Sequence, residues 1–261
     1  MTRPSRVAGA ARSLGATSDL QAKIKPQISN LKQECRIRWL GRMNFADALA
    51  MQEEIVARRR ESGNAVDEIL LLEHEPVYTI GRTPDKSSLL GAAHLPHPLF
   101  AINRGGQATY HGPGQLMCYP LLDLRRCGQD LHLYLRWLEQ TLIDFLATYD
   151  LSAIRRKGLT GVWIDRPSQG DGVASQRKIA SIGVGVRHWI TMHGFALNVC
   201  DDLSPFAHIV PCGISNVTMT SMEKETGRSL TVADVARNFE NLVREKYHEL
   251  RRDQEAYTIS H

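Results

Sequence analysis

The rhythm of hydrophobic and polar positions changes several times along this chain, and each change marks an element. Residues 35–40 alternate with period two, as a half-buried strand does. Asn44 stands as a cap ahead of a helical stretch from Phe45 to about Glu61. Residues 69–72 form a continuous aliphatic run, typical of a buried strand; Pro76 interrupts, and 77–80 resumes. Residues 81–98 mix prolines and histidines and read as a long surface loop. A short strand is predicted over 100–103 and a longer apolar one over 115–122. Leu131, Tyr134, Leu135, Leu138, Leu142, Phe145 and Leu146 follow helical spacing and predict a core-facing helix over about 129–149. A strand at 161–165 is followed by a polar stretch, 166–177, that reads as an excursion from a hairpin. Residues 178–187 and 189–199 are two β-rich runs joined by a tight turn, and a last helix spans about 232–250.

Strands therefore come in clusters with helices between the clusters, without strict βαβ alternation. That pattern predicts an α+β (mixed α/β) fold rather than a doubly wound parallel one. At 261 residues the chain can bury one large core. We place that domain at residues 33–261, after a tail at 1–32 rich in Ala, Ser, Arg and Gly that is expected to be mobile. An Arg-rich, acid-poor start also resembles an organelle transit peptide, but it lacks the amphipathic pattern of one.

Charge and cysteines narrow the picture further. The formal net charge of +4 resides in residues 1–25, where Arg3, Arg6, Arg12, Lys23 and Lys25 face Asp19 alone. The body is balanced, which gives no ground for a nucleic-acid partner. No apolar run approaches the ~18 residues of a membrane span. Cys35, Cys118, Cys127, Cys200 and Cys212 are odd in number and lack a CxxC spacing, and no secretory signal precedes them. Reduced thiols and a cytoplasmic location are the expectation.

Candidate chemistry falls on three segments. The first is Arg104, Gly105, Gly106, Gln107, Ala108, Thr109, Tyr110 and His111, continuing through Gly112, Pro113 and Gly114 to Gln115. Glycines let a ligand approach the main chain, and a cation and polar rings beside them suggest a binding surface. A glycine-rich hairpin connection is the plainer reading. The stretch lacks both the Gly-Lys-Ser/Thr ending and the GxGxxG spacing of phosphate-binding loops. The second is Cys212 between Pro211 and Gly213, which suits an accessible nucleophile but equally a small buried hydrophobe. The third is Lys178, at the start of a run of apolar and small residues. Pointing into a pocket, its amine would lose hydration, favouring the neutral form that can act as base and acid in turn; on an edge strand it would simply be solvated. His74 and His111 show no carboxylate at a diagnostic spacing, and no HxxxH or HxH pattern marks a metal site.

Taken together, these segments resemble the lipoyl(octanoyl) transferase (lipoate-protein ligase B) family. The resemblance runs in order through Glu73-His74-Glu75-Pro76-Val77-Tyr78-Thr79-Ile80-Gly81, the stretch from Arg104 to Gln115, and Gly161-Val162-Trp163-Ile164. It continues through Lys178-Ile179-Ala180-Ser181-Ile182-Gly183, His193-Gly194-Phe195-Ala196-Leu197-Asn198-Val199 and Pro211-Cys212-Gly213-Ile214. It covers roughly residues 35–250. It implies a fold akin to the catalytic domain of biotin and lipoate protein ligases. The implied activity is transfer of an octanoyl group from acyl carrier protein to a lysine of lipoyl domains, those of 2-oxoacid dehydrogenases and the glycine cleavage H protein, without ATP or metal. By resemblance, Cys212 is the acyl-thioester nucleophile and Lys178 the residue that activates it and shuttles protons. Arg104 to His111, Ser181, Ile182, Gly183, Gly194, Phe195 and Ala196 match the stretches that line the substrate pocket. The polar stretch 166–177 is longer than the family's usual link and is expected to bulge into solvent, since the motif resumes intact at Lys178. Two rivals keep parts of this pattern: an ATP-dependent lipoate or biotin ligase, which needs no nucleophilic cysteine, and a non-catalytic acyl-binding protein, which needs neither Cys212 nor Lys178.

Overall fold

The computed structural model describes residues 35–61, 66–83, 87–89, 95–165, 176–210 and 217–259. The tail 1–32, residues 166–175 of the polar excursion, and Cys212 with its neighbours Pro211 and Gly213 lie outside the described residues. The element order is β1 (Cys35–Met43), α1 (Phe45–Glu61), β2 (Asp67–His74), β3 (Val77–Ile80), β4 (Leu99–Ala101), β5 (Thr109–His111) and β6 (Gln115–Leu121). Then come α2 (Leu131–Ala147), β7 (Ala153–Arg156), β8 (Leu159–Ile164), β9 (Gln176–Arg187), β10 (Ile190–Asn198), β11 (Val217–Met219), α3 (Met222–Thr226) and α4 (Val232–Ile259).

A large mixed sheet is ordered β1-β2-β6-β10-β9-β8-β7, and β4-β3-β5 make a small second sheet. Parallel pairing joins β1 to β2 and β9 to β11; the other neighbours in the large sheet are antiparallel. The expected mixed α+β arrangement is what the chain adopts. β10 pairs with β9 as far as Leu197 opposite Ala180, and β11 continues along β9 from Met219 opposite Lys178 to Val217 opposite Gln176.

Both faces of the large sheet are covered, which explains why its central strands read as unbroken apolar runs. Ile69 and Leu71 of β2, with Leu116 and Cys118 of β6, face α2 and α4. Their alternates Leu70, Leu72, Met117 and Tyr119 face Ala48 and Ile55 of α1. The stripe Val232, Val235, Ala236, Phe239, Val243, Tyr247 packs α4 on the first face at helical spacing. The Asp130 carboxylate caps α2 by accepting from the N–H groups of His132 and Leu133.

One buried ionic knot ties the end of α1 to the start of β2. Arg59 pairs with Asp67 and donates to Val66 O at 2.6 Å, while Asp67 also accepts from Tyr247 OH at 2.7 Å and from Asp123 N at 3.0 Å. Both charged side chains are almost wholly enclosed. Removing one partner leaves the other charge buried without its counter-ion. Arg59→Ala is expected to lose ~3–5 kcal/mol in urea unfolding; a loss below ~1 kcal/mol would mean the pair behaves like a solvated surface bridge.

Candidate active site

The glycine-rich segment is not a hairpin. β5 belongs to the small sheet, paired with β3, and β6 to the large one, so Gly112, Pro113 and Gly114 carry the chain from one sheet to the other. The part before β5 is clamped by its own arginine. Arg104 is buried; its Nη2 group donates to Thr79 O at 3.0 Å, Thr79 Oγ1 at 2.9 Å and Gln107 O at 3.0 Å, and Nη1 donates to Gly105 O at 2.9 Å. Gly105 N–H in turn donates to Val184 O at 2.9 Å. The loop is thus stitched to β3 on one side and β9 on the other. At Gly183 an added Cβ would stand 2.9 Å from Arg104 Cδ, so β9 needs glycine there for the arginine to lie across it.

Between these walls lies a cavity of about 470 Å3 including its open mouth. The glycine loop contributes Arg104, Gly106, Gln107, Thr109 and His111 to the lining, β9 contributes Ser181, Ile182 and Gly183, and β10 contributes Gly194, Phe195 and Ala196. Gly105, Ala108 and Tyr110, grouped with them from sequence, are not lining residues. Strand alternation is the reason for the last two: Thr109 and His111 face the cavity, while Ala108 and Tyr110 join Tyr78, Phe206 and Ile209 in a separate apolar cluster. Burial there pushes the Tyr110 phenol up to about 12. Gly105 serves the stitch to β9 instead.

The lining also includes Phe45, Ile102, Met117 and Tyr119, which sequence reasoning did not single out, and His193, which opens the motif running to Val199 but stood outside the stretch matched to the pocket. Met117 and Tyr119 were within reach of the period-two rule, since they share a face of β6 with Gln115. Phe45 opens α1, and no local pattern points it at the glycine loop. His193 has φ +59°, a left-handed conformation inside a strand, and its N–H donates to Gln52 Oε1 of α1 at 2.8 Å. Such strain gathers at functional walls. The hydroxyls of Thr109 and Ser181 are buried in the lining with no protein partner among the described residues.

Three histidines surround the cavity and all are held neutral. Burial lowers His74 to about 4 and His193 to about 4, the latter helped by the Arg104 charge. Burial, then His74 and Arg104, hold His111 well below the ordinary histidine range. Hydrogen-bond bookkeeping assigns the tautomers. Thr79 Oγ1 accepts from Arg104, so its O–H is directed to His111 Nε2 at 3.3 Å; His111 Nδ1–H then donates to Gln115 Oε1 at 3.4 Å. Gln115 Nε2 donates to Tyr110 O at 3.3 Å and to Asp201 Oδ2 at 3.4 Å. Burial raises the Asp201 carboxyl to about 7. On the other side, His74 Nδ1–H donates to Met43 O at 3.1 Å and Tyr119 OH donates to His74 Nε2 at 2.6 Å. The outcome is a mixed wall in which the neutral rings of His111 and His193 stand among apolar side chains, with His74 behind Tyr119.

Lys178 lies further along β9 and is fully buried. The solvated edge-strand alternative therefore fails: β8 pairs on one side of Lys178 and β11 on the other. Its Nζ donates to Thr160 O at 3.0 Å and stands 5.2 Å from the Trp163 ring centroid. The segment bearing Cys212 leaves Val210, whose N–H donates to Ser88 O at 2.8 Å, and re-enters at Val217, opposite Gln176. Both ends of that segment are thus anchored, the second two residues from Lys178 along β9.

The family model for the lipoyl protein ligase A/B catalytic domain matches residues 44–243. The chain belongs to that family. Curated relatives named octanoyltransferase include one from Geobacter sulfurreducens, 49% identical over 75% of this chain and 77% of the relative. Another, from Syntrophotalea carbinolica, is 48% identical over 76% and 88%. Among solved structures, a lipoate-protein ligase A bound with ATP superposes with a TM-score of 0.58 at 20% identity, covering 84% of this chain and 93% of that one. The bi-partite lipoate protein ligase of Thermoplasma acidophilum gives 0.59 at 16% identity, covering 85% and 91%. These structural likenesses concern the fold. Among the described residues no helix is long and apolar enough to cross a membrane.

The histidines of this family member set its acid behaviour. An unfolded histidine takes a proton near 6.5, whereas His74 and His193 resist until about 4. Their stabilising contribution is complete above pH ~6.5 and is lost as pH falls toward 4. Asp201, raised to about 7, works the other way: its folded form keeps a proton that the unfolded chain releases near 4, so its contribution fades as pH rises. The histidines outnumber it. The thermal midpoint is expected to drop between pH 6.5 and 4.5, less steeply in His74→Gln and more steeply in Asp201→Asn. A midpoint that stays level or rises over this interval would contradict burial of the histidines in neutral form.

Proposed function

We infer that this chain is an octanoyltransferase that moves an octanoyl group from acyl carrier protein to a lysine of lipoyl domains, by way of a thioester on Cys212. The observation that carries this reading is the near-half identity to curated octanoyltransferases over three quarters of the chain. The cavity supports it. Phe45, Ile102, Met117, Ile182 and Phe195 offer an apolar lining for an alkyl chain, at ~0.8 kcal/mol per buried methylene. The histidines there are neutral, and Arg104 directs its donors to Thr79 and to its own loop.

The chemistry balances without ATP or a metal, because the donor is already a thioester. Lys178 takes the Cys212 S–H proton. The thiolate attacks the octanoyl carbonyl; a new C–S bond forms, the bond to the carrier's sulfur breaks, and the leaving thiolate takes the proton from the Lys178 ammonium. This exchange is close to isoenergetic. In the second step the acceptor lysine's amine attacks the Cys212 thioester, the C–N bond forms and the C–S bond breaks. The amine's proton passes through Lys178 to the Cys212 sulfur, and amide formation makes the step downhill. Dividing the transfer in this way is nucleophilic catalysis with ping-pong kinetics. The acceptors are the lipoyl domains of 2-oxoacid dehydrogenases and the glycine cleavage H protein, and the setting is the cytoplasm.

Incubation with octanoyl-acyl carrier protein is expected to leave a hydroxylamine-labile octanoyl adduct on Cys212, found by intact mass and peptide mapping. Lys178→Ala is expected to fold and to lose transfer by at least ~100-fold, the usual contribution of a positioned acid–base group. An adduct on another residue, or octanoyl-adenylate formed from ATP and free octanoate without any adduct, would point to a ligase instead.

A further inference from the structure

Trp163 is wholly buried, yet its indole N–H has no acceptor among the described residues. A buried donor without an acceptor is a cost that phenylalanine or leucine would avoid. What indole offers that those side chains do not is the strongest π face for a cation. Lys178 uses that face: Nζ lies 5.2 Å from the ring centroid, inside the ~6 Å reach of a cation–π contact. The Arg156 guanidinium carbon is 5.7 Å from the same centroid.

The approach is built into the pairing of β8 with β9. Trp163 lies directly opposite Lys178, while the next pair is Val162 with Ala180, so β9 carries one extra residue between them. That irregularity breaks the usual same-face relation of residues two apart: Ala180 stays with the core facing α2 and α4, as do Val162 and Ile164, and Lys178 meets the ring of Trp163. Gly161 clears the way. A Cβ there would stand 2.7 Å from Lys178 Cε and 3.1 Å from Nζ. Thr160 O accepts from Nζ at 3.0 Å. Three positions of one strand thus serve one amine: Thr160 by its carbonyl, Gly161 by its missing side chain and Trp163 by its ring.

We propose that Trp163 is a positioning residue for Lys178, its ring face and the Thr160 carbonyl together holding the ammonium group in place between proton transfers. The inference rests on the reading of Lys178 as the proton carrier. Trp163 is outside the acyl cavity lining, so its effect falls on turnover and not on acyl binding.

The test replaces Trp163 with Phe, with Leu, and site-specifically with di- and trifluorinated tryptophan, which keep the shape of indole and drain its π face. Octanoyl transfer from octanoyl-acyl carrier protein is measured at saturation, with KM and the thermal midpoint recorded for each. kcat is expected to fall in the order Trp, Phe, Leu, by about tenfold at Leu, and to fall with each added fluorine at unchanged KM and midpoint. Should Trp163→Leu unfold, the fluorinated series decides by itself. Full kcat in the trifluorinated protein, with Lys178→Ala inactive, would overturn the role of Trp163 alone. Full transfer by Lys178→Ala would instead overturn the reading of Lys178.

Discussion

The guanidinium of Arg104 is the contact on which the rest of the site depends. It is buried, and its donors go to Thr79, Gln107 and Gly105, the strand beneath the loop and the loop itself. Charge-assisted hydrogen bonds to carbonyls are worth ~1.5–3 kcal/mol each, enough to hold a glycine-rich segment that has little conformational preference of its own. Everything that lines the cavity from this side, from Gly106 to His111, inherits its position from that clamp. The same charge helps keep His111 and His193 neutral. One cation therefore shapes the wall and also removes competing cations from it.

The large sheet separates the labours of the molecule by face and by strand. The face toward α2 and α4 is apolar core. The face toward α1 carries the cavity, with Met117, Tyr119 and Ala196 on its floor and the small sheet's β5 as the opposite wall. β9 passes through both parts of the proposed reaction: Ser181 to Gly183 border the acyl space, and Lys178 lies three residues earlier, where β11 has replaced β10 as neighbour. β11 is itself held by Thr220 N–H donating to Lys178 O, by Asn198 Nδ2 donating to Thr220 O, and by the Arg177–Glu225 pair. The segment that carries Cys212 ends on that braced strand.

The longer elements were legible. The stripe on α2 and the aliphatic runs of β2 and β6 are what a helix and two buried strands must look like, and the turn between β9 and β10 falls where predicted, at His188 and Trp189, both with positive φ. β5, β7, β11 and α3 escaped. β5, β11 and α3 are three to five residues long, too short for a period to show, and β7 is an edge strand of which half is arginine. α4 runs to Ile259, past the expected end, because its apolar stripe stops before its helical propensity does. At the site, chemistry-bearing residues stood out and their facing did not. Tyr110 and Ala108 stand with Thr109 and His111 in the stretch that the family resemblance matches to the pocket, yet one residue of displacement in a strand reverses the face. Phe45 and Ile102 had no signal, since each reaches the cavity from a segment whose local pattern concerns its own packing.

The sequence by itself determined the mixed α+β class, the order of the motifs and the residue types available for acyl transfer, because periodicity and motif spacing are local properties of the chain. Tertiary structure alone decided that the glycine segment crosses between two sheets, that Arg104 is a clamp and not an open cation, and that Lys178 is enclosed beside the ring of Trp163. Those facts depend on which strands become neighbours and on one extra residue in β9. Pairing of that kind is settled by the burial of the whole sheet between its helices and not by any segment alone.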